Sequence, residues 1–189
     1  MKAIGIVASP RPDGNTAWAV RRALEGTGAE SRVFSMNGVG PCTSCLACRD
    51  TGRCVLADPM AGICAALEES DLLVLGSPIY LDHVSAQAWI FLNRLYPYIG
   101  PAPRLENRWK GPRRCLLAAT QGRADAAFYR PQLDQVAAAL RKYWAVDCVE
   151  HLVIGGCGRP GGLDGRPEAL AAALAAGQRL AVGGGGGNG

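Results

Sequence analysis

The sequence predicts an α/β fold, a doubly wound parallel sheet of five strands in the order 2-1-3-4-5 with helices on both faces. Three observations predict it. Short apolar runs alternate with stretches of helical periodicity along the chain, the pattern of parallel strands joined by crossover helices. The most apolar run, DLLVLG at residues 71–76, lacks polar alternation, as a strand covered on both faces should. A length of 189 residues with 49% hydrophobic content is sufficient for one core of this kind.

The elements follow in order. Residues 2–9, KAIGIVAS, form an apolar run ended by Pro10 and read as the first strand. Residues 15–24 space Ala17, Val20 and Leu24 on one helical face. Residues 31–36, SRVFSM, alternate as a second strand, and a breaker-rich, cysteine-rich loop at 40–57 comes next. Asp58-Pro59 opens a helix, since Asp caps free backbone amides and Pro is tolerated at the first helical position.

After the third strand at 71–76, residues 84–98 read as one long amphipathic helix. Residues 114–119 are a fourth strand, 132–144 a helix, 149–155 a fifth strand, and 168–182 an Ala/Leu-rich last helix. We expect a single domain over 1–182 and a disordered tail, GGGGGNG, at 183–189, where no side chain is available for burial.

Charge and composition exclude several classes. The net charge is +4, its densest basic pairs being Arg21-Arg22 and Arg113-Arg114. With no basic stripe interleaved with aromatics, nucleic acid is a poor partner, whereas a small anion suits the charge. No apolar run approaches the roughly 18 residues of a membrane span. The start, MKAIGIVASP, runs into a Pro/Gly turn that reads as a strand end rather than a secretory signal. A cytoplasmic location is expected, where thiols stay reduced and clustered cysteines bind metal or do redox chemistry.

In a sheet of this order, ligands bind beyond the carboxyl ends of the strands, beside the first. The first strand leads into SPRPDGNT. Ser9, Asn15 and Thr16 offer hydrogen-bonding side chains, Gly14 permits close backbone approach, Arg11 adds a forked cation, and the following helix points its free N–H groups into the loop. Together these make a phosphate site, with a plain helix-capping turn as the alternative. The third strand leads into GSPIY, where Pro78, Ile79 and Tyr80 offer a bed for a flat heteroaromatic ring. The fourth leads into AATQGR, bringing Thr120 and Gly122 to the same edge. A formal G-x-G-x-x-G at Gly156, Gly158 and Gly161 follows the last strand, contains Pro160 and lacks an immediate helix. It reads as a glycine-rich surface loop rather than a dinucleotide site.

Four cysteines, Cys42, Cys45, Cys48 and Cys54, stand in CTSCLACRDTGRC with spacing C-x2-C-x2-C-x5-C. Soft thiolates suit a [4Fe–4S] cluster or tetrahedral zinc, and a metal-free loop remains the third reading. Cys64, Cys115, Cys148 and Cys157 read mainly as core packing.

These motifs resemble the NADPH-dependent FMN reductase and iron–sulfur flavoprotein group of the flavodoxin-like superfamily. The resemblance rests on SPRPDGNT, SPIY and the cysteine spacing. It implies FMN phosphate contacts from Ser9, Arg11, Asn15 and Thr16, ring contacts from Pro78, Ile79 and Tyr80, and metal ligation by the four loop cysteines. The chain departs from the group's pattern at Asp58-Pro59-Met60, at Trp89 and at Asn93-Arg94.

The implied activity is that of an FMN-dependent oxidoreductase or electron-transfer flavoprotein carrying a [4Fe–4S] cluster. The alternatives are an NAD(P)H-dependent FMN or quinone reductase without a cluster, and a zinc-stabilised binding protein without catalysis. Implied partners are a small-molecule or redox-protein electron donor and acceptor, with NAD(P)H among the donors, and further copies of the chain in a homodimer or homotetramer.

Overall fold

The computed structural model describes residues 1–100 and 107–182. The tail expected to be disordered, 183–189, lies outside the described residues. In chain order the elements are β1 (Lys2–Val7), α1 (Asn15–Thr27), β2 (Glu30–Ser35), α2 (Cys48–Thr51), α3 (Met60–Glu68), β3 (Leu72–Tyr80), β4 (His83–Val84) and α4 (Ala86–Arg94). A 3-10 turn at Tyr96–Tyr98 follows, then β5 (Arg114–Thr120), α5 (Arg130–Trp144), β6 (Asp147–Ile154) and α6 (Pro167–Val182).

Five strands pair in parallel in the order β2-β1-β3-β5-β6, with β4 hanging antiparallel from the end of β3. Leaving out the two-residue β4, this is the expected 2-1-3-4-5 sheet. The central strands alternate their side chains between two cores, so both residue parities must be apolar. Ile4, Ile6, Leu73, Leu75 and Leu117 pack with α3, α4 and α5 on one face. Val7, Leu72, Val74, Leu116 and Leu152 pack with α1 and α6 on the other.

Helices α1 and α6 meet backbone to backbone. A Cβ placed on Gly177 would stand 1.9 Å from the Ala23 carbonyl oxygen, and one on Gly26 would stand 2.1 Å from that of Leu174. Neither atom belongs to a flexible side chain that can swing away.

α3 starts at Met60 with Pro59 as its N-cap, one residue later than expected, and two other boundaries differ by more. β3 runs on through SPIY to Tyr80, because β4 pairs with its end through Ile79↔Val84 and Tyr80↔His83. The helix expected over 84–98 is shorter, Ala86–Arg94. Ser85 caps its start, its side chain accepting the Ala88 N–H. The chain turns into the 3-10 segment around Pro97, whose ring nitrogen has no proton to continue an α-helix.

Candidate functional site

At the carboxyl edge of the sheet, the loops after β1, β3 and β5 enclose a cleft of about 100 Å³. All ten residues read from the sequence as a phosphate and ring site line it: Ser9, Arg11, Gly14, Asn15, Thr16, Pro78, Ile79, Tyr80, Thr120 and Gly122. The topology explains why. β1 and β3 are adjacent and parallel, and β3 and β5 are adjacent and parallel, so their carboxyl ends lie side by side.

The floor of the cleft is polar and buried. Ser9, Thr16 and Thr120 are all nearly inaccessible, and the Thr16 and Thr120 hydroxyls lie 2.7 Å apart. In such a pair one proton is engaged between the two oxygens and the other is available to a guest. Helix α1 begins after Gly14 with no side-chain cap, so its first-turn N–H groups lack the partner that a capping side chain would supply. Those amides and the helix dipole favour an anion. Arg11 stands exposed at the rim.

Asn15 is tied differently from expectation. Its Nδ2 donates to the carbonyl oxygens of Cys157 at 2.6 Å and Arg159 at 2.7 Å, so both side-chain protons hold the late glycine-rich loop against the first. That loop is therefore not the plain surface loop its composition suggested. Cys157 and Gly158 line the cleft, and Cys157 is buried there.

Gln121 and Ser85 escaped the sequence reading, which took Ser77 only as the start of the ring bed. Gln121 is nearly fully buried and lines the cleft. Its Nε2 donates to the carbonyls of Arg123 and Asp125, at 3.2 and 2.7 Å. This fixes the orientation of the amide, and the opposite oxygen, Oε1, is buried without a donor. A guest that brings hydroxyl donors would satisfy it. Ser85 Oγ donates to the Ala8 carbonyl at 2.6 Å, and Ser77 Oγ accepts the Ser85 N–H at 2.9 Å. These serines fasten the ends of β1 and β3 and the start of α4 to one another. No periodicity or motif reports such contacts; a polar residue inside an apolar run was the only available signal.

The cysteine segment lies elsewhere. Cys42, Cys45, Cys48 and Cys54 line one larger cavity, about 630 Å³, walled also by Leu92, Tyr96 and Trp144. Cys42 and Cys45 are exposed and the other two half-buried. A left-handed backbone at Ser44 and Leu46 folds the segment back on itself, and the short α2 ends at Gly52. Arg49 anchors the segment, donating to the Gly100 carbonyl at 2.7 Å and stacking over the Tyr96 ring.

Electrostatics differ among the thiols. Cys45 is held below the ordinary thiol value, chiefly by the backbone N–H of Ala47. Cys48 is pushed up by burial first and then by Cys54, Cys42 and Cys45, which act on it through their charge. The donor chemistry, four soft thiols lining one cavity, suits a thiolate-bound centre, but the sulfurs are not drawn together around a single point. Among the described residues no three Cys, His, Asp or Glu side chains form a metal-binding group.

Residues 1–150 match the family described as NADPH-dependent FMN reductase. An iron-sulfur flavoprotein of Methanocaldococcus jannaschii is 39% identical over 102 residues, 51% of this chain and 53% of that protein. One of Archaeoglobus fulgidus is 38% identical over 116 residues, 59% of this chain and 52% of that protein. The chain thus spans about half the length of the curated relatives it matches. Among solved structures, an NAD(P)H:quinone oxidoreductase from Methanothermobacter marburgensis superposes with a TM-score of 0.73 at 15% identity, covering 95% of this chain and 98% of that one. At that identity the likeness speaks for the flavodoxin-like fold alone. With the family match covering most of its length, the chain belongs to the NADPH-dependent FMN reductase family.

Proposed function

We propose that this chain is an FMN-dependent oxidoreductase whose cysteine loop holds a [4Fe–4S] centre, making it an electron-transfer flavoprotein. One observation carries the flavin part: ten residues chosen for phosphate and ring contacts line a single cleft at the switch point of the sheet. Its enclosed volume, about 100 Å³, suits a phosphate group rather than a flavin ring. Ile79, half-buried, and Tyr80, exposed, would hold the ring together with Pro78.

When bound, FMN supplies acceptance of two electrons and their release one at a time. The chain supplies the hold. First-turn amides of α1, the available hydroxyl proton of the Thr16–Thr120 pair and Arg11 would receive the phosphate charge. Gln121 Oε1, buried and unpartnered, would accept a hydroxyl of the bound cofactor. The backbone around Pro78–Tyr80 supports the ring. Cys42, Cys45, Cys48 and Cys54 would ligate a cluster that supplies one-electron transfer. The names of the archaeal relatives and the shared cavity of the four thiols support that assignment.

The test is anaerobic purification followed by a visible spectrum and analysis for FMN, iron, sulfide and zinc. FMN with iron and sulfide in about fourfold ratio to protein is the expected result. FMN without metal reduces the reading to a cluster-free reductase, and zinc without FMN contradicts it. Reduction of the bound flavin by a ferredoxin-like donor, against NADPH, then identifies the class of electron donor.

A further inference from the structure

Arg94 is 1% exposed and carries a full charge. Its Nη1 donates to Asp58 Oδ2 at 2.5 Å and to the Gly40 carbonyl at 2.8 Å, and its Nη2 to Asp58 Oδ1 at 3.0 Å. Asp58 also accepts the backbone N–H groups of Gly40 at 3.1 Å and Met60 at 3.0 Å. Gly40 and Asp58 bracket the cysteine segment, so the guanidinium is fastened to both roots of that loop.

The third nitrogen, Nε, is buried with no acceptor. Arg94 lines the same cavity as Cys42, Cys45, Cys48 and Cys54. Of the four sulfurs, that of Cys54 stands close enough to the guanidinium to act on it directly.

A buried ion pair alone is a poor stabiliser, since apolar residues of like volume often do better. A buried N–H without an acceptor adds to the cost. Both features make sense if the missing acceptor arrives with a ligand. A thiol is a weak acceptor, whereas a metal-bound thiolate carries negative charge and accepts well.

Building on the metal-centre reading above, we propose that Arg94 is a positioning residue for that centre. Fixed by Asp58 and Gly40, it presents Nε–H to the ligating sulfur of Cys54. It acts through Cys54 and touches no substrate. The buried positive charge also offsets part of the negative charge that four thiolates gather around one centre.

The test uses the full chain, reduced and metal-free, with Cd²⁺ alone as probe and arginine side-chain N–H groups followed by NMR. On addition of Cd²⁺, one arginine Nε–H should move and acquire scalar coupling to spin-active cadmium. That resonance should be missing in Arg94→Lys, which should bind Cd²⁺ about 10- to 100-fold more weakly, the usual effect of losing an outer partner of a ligand. The coupling is read in the unaltered protein, so the test survives a variant that fails to fold.

Thiolate absorption on Cd²⁺ binding with no responding arginine Nε–H would overturn the role of Arg94 and leave the metal centre standing. Equal Cd²⁺ affinity in Arg94→Lys would do the same. If the unaltered chain takes up no Cd²⁺, the metal-centre reading falls, and this inference with it.

Discussion

The hydroxyls of Thr16 and Thr120 meet at 2.7 Å across 104 residues of sequence, joining the first turn of α1 to the last residue of β5. Thr120→Val keeps the shape of the side chain but leaves Thr16 Oγ1 without its partner. FMN affinity should fall by about three- to tenfold, the worth of one net hydrogen bond. Thr120→Ser should restore it. Fluorescence titration reads both.

Asn15 couples the two glycine-containing loops, since its amide protons are engaged by the Cys157 and Arg159 carbonyls. Asn15→Ala should weaken FMN binding modestly by freeing the late loop. Asn15→Asp should weaken it further, by about tenfold or more, because it sets a carboxylate against two carbonyl oxygens and the incoming phosphate. The order of the two variants in an equilibrium titration checks this.

Asp58 gives a pH dependence with a defined sign. The hydrogen bond from Arg94 is the chief cause holding its carboxyl below the ordinary value of 3.8, against the opposing effect of burial. A depressed folded-state pKa means that the unfolded chain binds the proton more readily. The stabilisation is thus complete above about pH 5 and is lost as pH falls below the ordinary carboxylate value. Asp58→Asn should abolish this acid-range dependence of the unfolding free energy. Arg94→Met, which strands the carboxylate, should cost about 3–5 kcal/mol at neutral pH.

The cysteines should separate by reactivity. In reduced, metal-free protein at mildly alkaline pH, iodoacetamide should modify exposed Cys45 first, its thiol being held low by the Ala47 N–H. Cys64 and Cys148 are pushed up to about 11, chiefly by burial. Only about a thousandth of either is thiolate at pH 8, so both should persist unmodified. Peptide mass mapping over time shows the order.

The sheet was legible because both faces of it are covered: runs such as DLLVLG are apolar at every position and stand out against periodic helices. The cleft residues were legible because a parallel sheet of known order fixes which loops converge. Contacts made by chance of tertiary geometry were not. Nothing local to Gln121 announces that two carbonyls will orient its amide, and Asp58 and Arg94, 36 residues apart, carry no shared motif. The helix read as 84–98 overran because Ser85 and Pro97 act as a cap and a stop within an otherwise continuous amphipathic pattern. The glycines at 156–161 look like loop filler until Asn15 is found holding them in place.

Comparative titration of the flavin-free protein with FMN and with riboflavin tests the central claim most directly. The cleft after β1 is held to grip the phosphate, so FMN should bind at one per chain and riboflavin should bind at least about a hundredfold more weakly. That ratio matches the loss of one or two charge-assisted hydrogen bonds. Equal affinity for the two flavins, or no affinity for FMN in either redox state, would contradict the account.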